Sequence, residues 1–189
     1  MSTLTSFIVI YPHAFEKRAA AAAISAIESF AGNAVEDNKA KLLESGKGFL
    51  VFSKIFANGI KLSMEIGEFC GVMYAKVGGG RSSPESIALT AEAVKKLFEL
   101  SGPSFAVDSS SEDDTPFSMF FSWASGDFAG LSEWVSWHSY FIFGGQAAVK
   151  RLKIVTKQAK TEKLQNGIAV SLSGEAAREE LVSALTGFK

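Results

Sequence analysis

Three strand-length apolar runs follow one another in the first half of the chain, with no helix-length segment between them. The runs are Gly48–Phe56, Ile60–Ile66 and Glu68–Val77, and the second alternates strictly between apolar and polar residues. Parallel neighbours need a long crossover, whereas antiparallel neighbours need only a short turn. The series therefore predicts antiparallel hairpins, with turns at residues 57–59 and at Gly67.

The same criteria assign the rest of the chain to strands and helices. Strands are predicted at residues 6–11, 104–107, 117–123, 133–143 and 167–173, and helices at 14–33, 84–100, 146–165 and 174–188. The segment 146–165 also allows a strand over its RLKIVT stretch, and its length favours the helix. The order predicts an α+β fold with a mostly antiparallel sheet of about seven to eight strands and three to four helices packed on it.

The composition is that of an ordinary folded domain. The chain has 189 residues, of which 47% are apolar and 21% charged, so it can bury a core without metals or disulfides. No linker-like stretch divides it, and one domain is expected. Runs of strands end twice in glycines that open a helix, in KVGGGRSSPES and in IFGGQAAVKRL. This faint repetition suggests the hypothesis of an internal duplication, with two similar halves at 1–101 and 102–189.

Charge and cysteine content limit the classes of partner. The net charge of −1 gives no general attraction to nucleic acid or to an anionic membrane. No apolar run has the length of a membrane span, and the first residues do not read as a signal peptide. Cys70 is the single cysteine, so no disulfide can form within the chain. We expect a cytoplasmic protein with no cofactor, and the sequence does not give its oligomeric state.

A glycine-rich junction after Val77 allows two interpretations. Gly78–Gly80 read as a tight corner between a strand and a helix, with either Ser82 or Ser83 as the helix cap. The alternative is an enzyme or binding domain for a phosphorylated ligand, in which backbone N–H groups at the helix start bind an anion. The residues for that alternative are Gly79, Gly80, Arg81, Ser82 and Ser83. The spacing matches no phosphate-loop motif, so the structural corner is preferred.

No catalytic or metal-binding constellation emerges from the other polar residues. Cys70 is predicted to be buried and inert because its surroundings are apolar. His13 and His138 have no spacing that relates them to Cys70 or to a metal. The basic segment 150–163 has no interleaved aromatic residue to stack on bases, and a solvated helix face is the preferred interpretation.

An acidic loop and an aromatic block indicate protein binding. The acidic loop is predicted at residues 108–114 and contains Asp108, Glu112, Asp113 and Asp114. The block at 117–143 contains all three tryptophans, and Trp134 and Tyr140 are the proposed anchors. Carboxylates at a rim select a basic partner, while buried aromatic rings supply most of the affinity. The expected function is a non-catalytic domain, of inhibitor or immunity type, that binds a protein with a basic surface.

Because the acidic loop and the aromatic anchors have different roles, their substitution should affect different rate constants of binding to the partner protein. Replacing Glu112, Asp113 and Asp114 with serine should slow association and weaken its dependence on salt, with dissociation nearly unchanged. Truncating Trp134 or Tyr140 to alanine should instead speed dissociation. Surface plasmon resonance at two salt concentrations measures both effects. Unaltered association of the triple variant at low salt would show that the acidic loop has no part in binding.

Overall fold

A computed structural model gives the fold of the chain. It describes residues 4–12, 15–32, 36–46, 48–56, 58–69, 72–81, 83–110, 122, 141–145, 160–171, 176, 177, 179, 180 and 183. Within them, eight strands form one antiparallel sheet with three helices, which confirms the α+β prediction. The five described residues from 176 to 183 are also helical, as predicted for the closing segment.

The sheet has the spatial order β2-β3-β4-β1-β5-β6-β8-β7. The strands are β1 Leu4–Ile10, β2 Phe49–Ile55, β3 Lys61–Phe69, β4 Val72–Arg81, β5 Phe105–Ser110, β6 Phe141–Gly145, β7 Lys160–Leu164 and β8 Gly167–Ser171. β1 lies between β4 and β5, and it is buried on both faces. Phe7 and Val9 point to one face and Ile8 and Ile10 to the other, and none of the four is more than 7% exposed.

Helices cover one face of this sheet. They are α1 Lys17–Ala31, α2 Glu36–Ser45 and α3 Pro84–Ser101. The alanine run gives α1 a high helix propensity, and its predicted inner residues Ala20, Ile24 and Ile27 are buried. The small alanine side chains let α1 pack against α3 above the strands. The sequence did not predict α2, because in this polar helix only Leu42 is fully buried among the described side chains.

The ends of α3 follow the sequence closely. Ser83 is the N-cap, with its hydroxyl accepting a hydrogen bond from the Ser86 N–H at 3.1 Å, and Pro84 takes the first helical position. Gly102 ends the helix in the left-handed conformation, with φ 66°. These are the residues that helix termini favour. The second of the two predicted caps, Ser83 followed by Pro84, is therefore confirmed.

The predicted glycine corner is wrong. β4 continues through Gly78–Gly80 to Arg81, so the chain turns after the glycines. The physical reason is a change of register: Ser6 pairs with Gly78 while Leu4 pairs with Arg81, which leaves one extra residue on β4. An extra residue opposite a regular strand is a β-bulge, and glycine commonly occupies such positions.

Two further turn predictions need correction. Gly67 is an interior residue of β3, paired with both Phe49 and Tyr74, and not a turn. The predicted strand at 68–77 is divided, because β3 ends at Phe69, β4 begins at Val72, and these two residues pair with each other. Cys70, expected in the middle of a strand, lies outside the described residues. The turn at 57–59 is confirmed, with Gly59 at φ 78°.

The second half of the chain departs further from the sequence prediction. The favoured helix at 146–165 is wrong at 160–164, which form β7, and its earlier part lies outside the described residues. Asp108, predicted to open the acidic loop, lies within β5 and pairs with Phe7. Ser122 has a helical backbone, which contradicts the strand predicted at 117–123. The other residues of that segment lie outside the described residues.

The two hypothetical halves each contribute four neighbouring strands. β1 and β5 meet in the middle of the sheet, with β4, β3 and β2 outward on one side and β6, β8 and β7 on the other. The chain visits these positions in different orders, since β1 pairs with the last strand of its half and β5 with the next strand in sequence. Duplication therefore stays a hypothesis.

Three phenylalanines join the two halves in the core. Phe143 of β6 lies 5.7 Å from Phe7 of β1 and 5.6 Å from Phe98 of α3, measured between ring centroids. All three side chains are fully buried. Ring pairs at this spacing add to the stability that burial gives.

Removing one of these rings should destabilise the whole fold. Phe98→Ala should lower the free energy of unfolding by about 3–5 kcal/mol, because it leaves a cavity between α3 and the sheet. Leu100→Ala on the same helix is the matched control, since Leu100 is 54% exposed and its loss should change stability by only about 0.5 kcal/mol. Urea denaturation measures both values, and equal losses would contradict this account of the core.

Candidate functional site

Large apolar side chains are exposed along one face of β2. Phe49 is 62% exposed, Val51 58% and Ile55 70%, and we call these three residues the apolar stripe. Side chains alternate along a strand, so Leu50 and Phe52 point to the opposite face and are buried there. Single exposed apolar residues are ordinary on protein surfaces, whereas three on one face of one strand make that face a candidate contact surface.

The stripe lies at an end of the sheet. Among the described strands, none pairs with the outer side of β2. The pairing of β2 with β3 is regular from Phe49 to Ile55 and contains no bulge. Edge strands are usually protected by charge, proline or a bulge, and β2 has neither proline nor bulge.

The single charge on β2 is occupied by contacts within the domain. The Lys54 Nζ donates a hydrogen bond to the Phe30 carbonyl at 2.9 Å and lies 5.1 Å from the centre of the Phe56 ring. A cation over an aromatic face is attracted to it. Lys54 is thus directed toward α1 and the following turn, and does not shield the edge.

A tyrosine lies over the glycine next to Phe49. Gly67 of β3 pairs with Phe49 on one side and Tyr74 on the other. A Cβ atom at Gly67 would be 3.0 Å from the Tyr74 Oη and 3.0 Å from the Phe49 Cβ, so only glycine leaves room for both aromatic side chains. An aromatic residue beside a strand glycine covers the backbone that the glycine exposes.

The tyrosine hydroxyl is held by a carboxylate. Tyr74 is 8% exposed, and its hydroxyl donates a hydrogen bond to a Glu65 carboxylate oxygen. Burial is the main cause that raises the pKa of Tyr74 well above its ordinary value, and the Glu65 and Glu68 carboxylates raise the pKa further. The phenol therefore stays protonated at neutral pH and serves as a hydrogen-bond donor.

This arrangement is suited to binding a chain segment. An edge strand with no described neighbour offers backbone hydrogen bonds, and the apolar stripe offers contacts for alternate side chains of an added strand. Within the described part of the chain, no group of three or more His, Cys, Asp or Glu residues is placed to share a metal ion.

The residues of the alternative anion site are not gathered around an open helix start. Gly79, Gly80 and Arg81 belong to β4, and the Ser83 hydroxyl caps α3. The Glu85 carboxylate also lies at this end, where hydrogen bonds from its own backbone N–H and from the Ser83 hydroxyl lower its pKa. The helix start thus already has a negative charge of its own. Ser82 lies outside the described residues.

The predicted partner-binding residues can be placed only in part. Asp108 is a β5 residue. Glu112, Asp113, Asp114, Trp134 and Tyr140 lie outside the described residues, so their role in binding stays a prediction. The two histidines and residues 150–159 of the basic segment also lie outside the described residues. Sequence reasoning did not single out the apolar stripe, although Phe49, Val51 and Ile55 have the period of two that places them on one face. The missing information was which face the helices cover.

The comparisons with known proteins assign no family. No protein-family model matches the chain, and no curated protein is similar to it at a significant level. Among the described helices, none is long and apolar enough to cross a membrane.

The buried phenol predicts a dependence of stability on high pH. In the unfolded chain Tyr74 ionises around its ordinary pKa of 10.0, whereas the folded chain keeps the proton. The folded state then binds more protons, so the free energy of unfolding should fall as pH rises above about 10 and be unaffected by this group below that. Tyr74→Phe should show a shallower fall between about pH 9 and about pH 11. Urea titrations at several pH values measure the two slopes.

A second tyrosine provides a comparison for this measurement. Burial also raises the pKa of Tyr11, against a smaller lowering by its hydrogen bond with Ser101. Tyr11→Phe should therefore flatten the curve in the same direction, and the double variant should flatten it further. Identical slopes for the wild type and Tyr74→Phe would show that Tyr74 is not held in its protonated form.

Proposed function

We propose that this chain is a non-catalytic protein-binding domain whose docking element is the β2 edge. The observation that supports the proposal is that the apolar stripe Phe49, Val51 and Ile55 lies on an edge strand whose outer side no described strand pairs with. Backbone hydrogen bonds along the edge provide affinity for any extended peptide segment, and the exposed side chains at alternate positions make the binding specific. Burying the stripe removes apolar area from water, which favours association.

The finer role is an inhibitor or immunity-type function in the cytoplasm. Its supports come from the sequence: one cysteine, a net charge of −1 and the carboxylates Glu112, Asp113 and Asp114. In this proposal the acidic residues select a protein with a basic surface, since clustered carboxylates speed encounter with cationic partners. β2 and the acidic residues are then separate contact regions of one binding domain.

Site-specific photocrosslinking tests whether β2 is a docking element. A photoreactive phenylalanine analogue replaces Phe49 in one variant and Leu100 in the other, and both are expressed in the native host and irradiated. Leu100 is the matched control because it is similarly exposed but lies on α3. The Phe49 probe should give protein adducts several-fold above those of the Leu100 probe, and mass spectrometry identifies the adducts.

A second substitution distinguishes adducts formed by specific docking at β2 from adducts formed by random collision. Val51→Lys, introduced beside the Phe49 probe, adds a charge at the centre of the stripe and should remove the adducts, because a charge on an edge opposes strand pairing. Circular dichroism checks that this exposed substitution leaves the fold intact. Adducts at Phe49 no more abundant than at Leu100 would reject the proposed function.

A further inference from the structure

The face of the sheet opposite the helices carries charged residues beside the apolar stripe. Ile55 of β2 pairs with Lys61 of β3. Further along, Val51 pairs with Glu65, and Glu65 pairs with Lys76 of β4. Residues directly opposite each other on neighbouring strands have side chains on the same face, so these charges border the stripe on its inner side. Both lysines are exposed, and the glutamate between them is half-buried.

The two lysines are not neutralised within the described part of the chain. Neither Lys61 nor Lys76 forms an ion pair with a described residue. Lys76 lies opposite Glu65, but the Glu65 carboxylate accepts the hydrogen bond from the Tyr74 hydroxyl. A partner element that covers both the apolar stripe and these ammonium groups is complementary when it combines apolar with acidic side chains.

We infer that this face binds an acidic amphipathic helix of the partner protein, which lies along β2 and β3 with its apolar side on the stripe and its carboxylates toward Lys61 and Lys76. The inference rests on the proposed function, because it names the part of the partner that meets β2. It leaves the acidic residues predicted at 112–114 for a separate, basic region of the partner.

The position of the lysines favours an element on the face over a strand at the edge. Neighbouring strands lie about 4.8 Å apart, so a strand added outside β2 is about two strand spacings from the backbone of Lys61 and about three from that of Lys76. An element that lies over the face is closer to both lysines. A helix is about 10 Å wide with its side chains, so one helix covers β2 and β3 together.

The spacing of the lysines gives the expected pattern of the helix. Lys76 pairs with Glu65, which follows Lys61 by four residues along β3, a distance of about 13 Å. An α-helix rises about 1.5 Å per residue, so two carboxylates about seven or eight residues apart match the two lysines. The stripe from Phe49 to Ile55 extends about 20 Å. The expected element is therefore a helix of about 13 residues whose acidic side chains lie two turns apart.

Charge reversal beside the photoreactive residue tests this inference. Lys61→Glu and Lys76→Glu are combined in the chain that carries the phenylalanine analogue at position 49, and adducts are again formed in the native host. The yield of adducts should fall about fivefold or more, because like charges across an interface repel each other. Circular dichroism checks that the fold is intact.

A second pair of lysines provides the matched control. Lys17 of α1 and Lys41 of α2 are also exposed, but they lie on the helices that cover the other face. Lys17→Glu combined with Lys41→Glu changes the net charge by the same amount and should leave the adduct yield unchanged. An equal loss in both double variants would show a general effect of charge and overturn the inference.

The partner residue joined to position 49 gives an independent test. Mass spectrometry should place it in a helix that has two Asp or Glu residues about seven or eight positions apart. Replacing these two acidic residues with lysine should lower the adduct yield with the original Lys61 and Lys76, and restore it with the Lys61→Glu, Lys76→Glu chain. A variant that had lost its fold would not be rescued in this way.

The outcomes separate this inference from the proposed function. Phe49 adducts above the Leu100 control that are unchanged by reversing Lys61 and Lys76 would overturn the acidic helix and leave β2 as a docking element. Adducts that map to a basic or an extended segment of the partner would do the same. No adducts above the Leu100 control would overturn both the helix and the docking element.

Discussion

The fold depends on the pairing of β1 with strands from both halves of the chain. Its two sides bond to β4 and β5, and its two faces are both buried. A strand apolar on both faces cannot lie at an edge or over solvent without exposing much of its surface. β1 then has three described strands on one side and four on the other, and α1 packs against α3 over the sheet.

Among the described residues, three of the four exposed large apolar side chains lie on β2. The helices α1, α2 and α3 cover one face, and Ile8, Ile10 and Phe105 on the other face are also buried around β1 and β5. Coverage of the second face does not extend to β2, where Phe49, Val51 and Ile55 remain open. The same strand thus combines a buried face that packs under the helices with an exposed face and an outer edge that no described strand pairs with.

The sequence predicted elements best where one face is wet and the other dry. Leu62, Met64 and Ile66 of β3 are buried as their alternation predicts. The turn predictions at the glycines are wrong because Gly67 makes room for cross-strand aromatic side chains and Gly78 lies next to a bulge. A glycine in a sequence does not by itself distinguish these roles from a turn. The length of segment 146–165 favours a helix, and β7 gives little signal against it, because only Leu164 of its five residues is buried. The apolar stripe was visible as a pattern, but its exposure depends on where the helices lie.

The position of β1 in the chain also affects how the protein forms during synthesis. β1 leaves the ribosome before both of its partners, β4 at Val72–Arg81 and β5 at Phe105–Ser110. Until then its apolar residues have no strand on either side, whereas β2, β3 and β4 can pair as successive hairpins when they emerge. Contacts that close such long segments of chain form slowly. The nascent chain therefore carries β1 without its full set of partner strands until β5 has been synthesised.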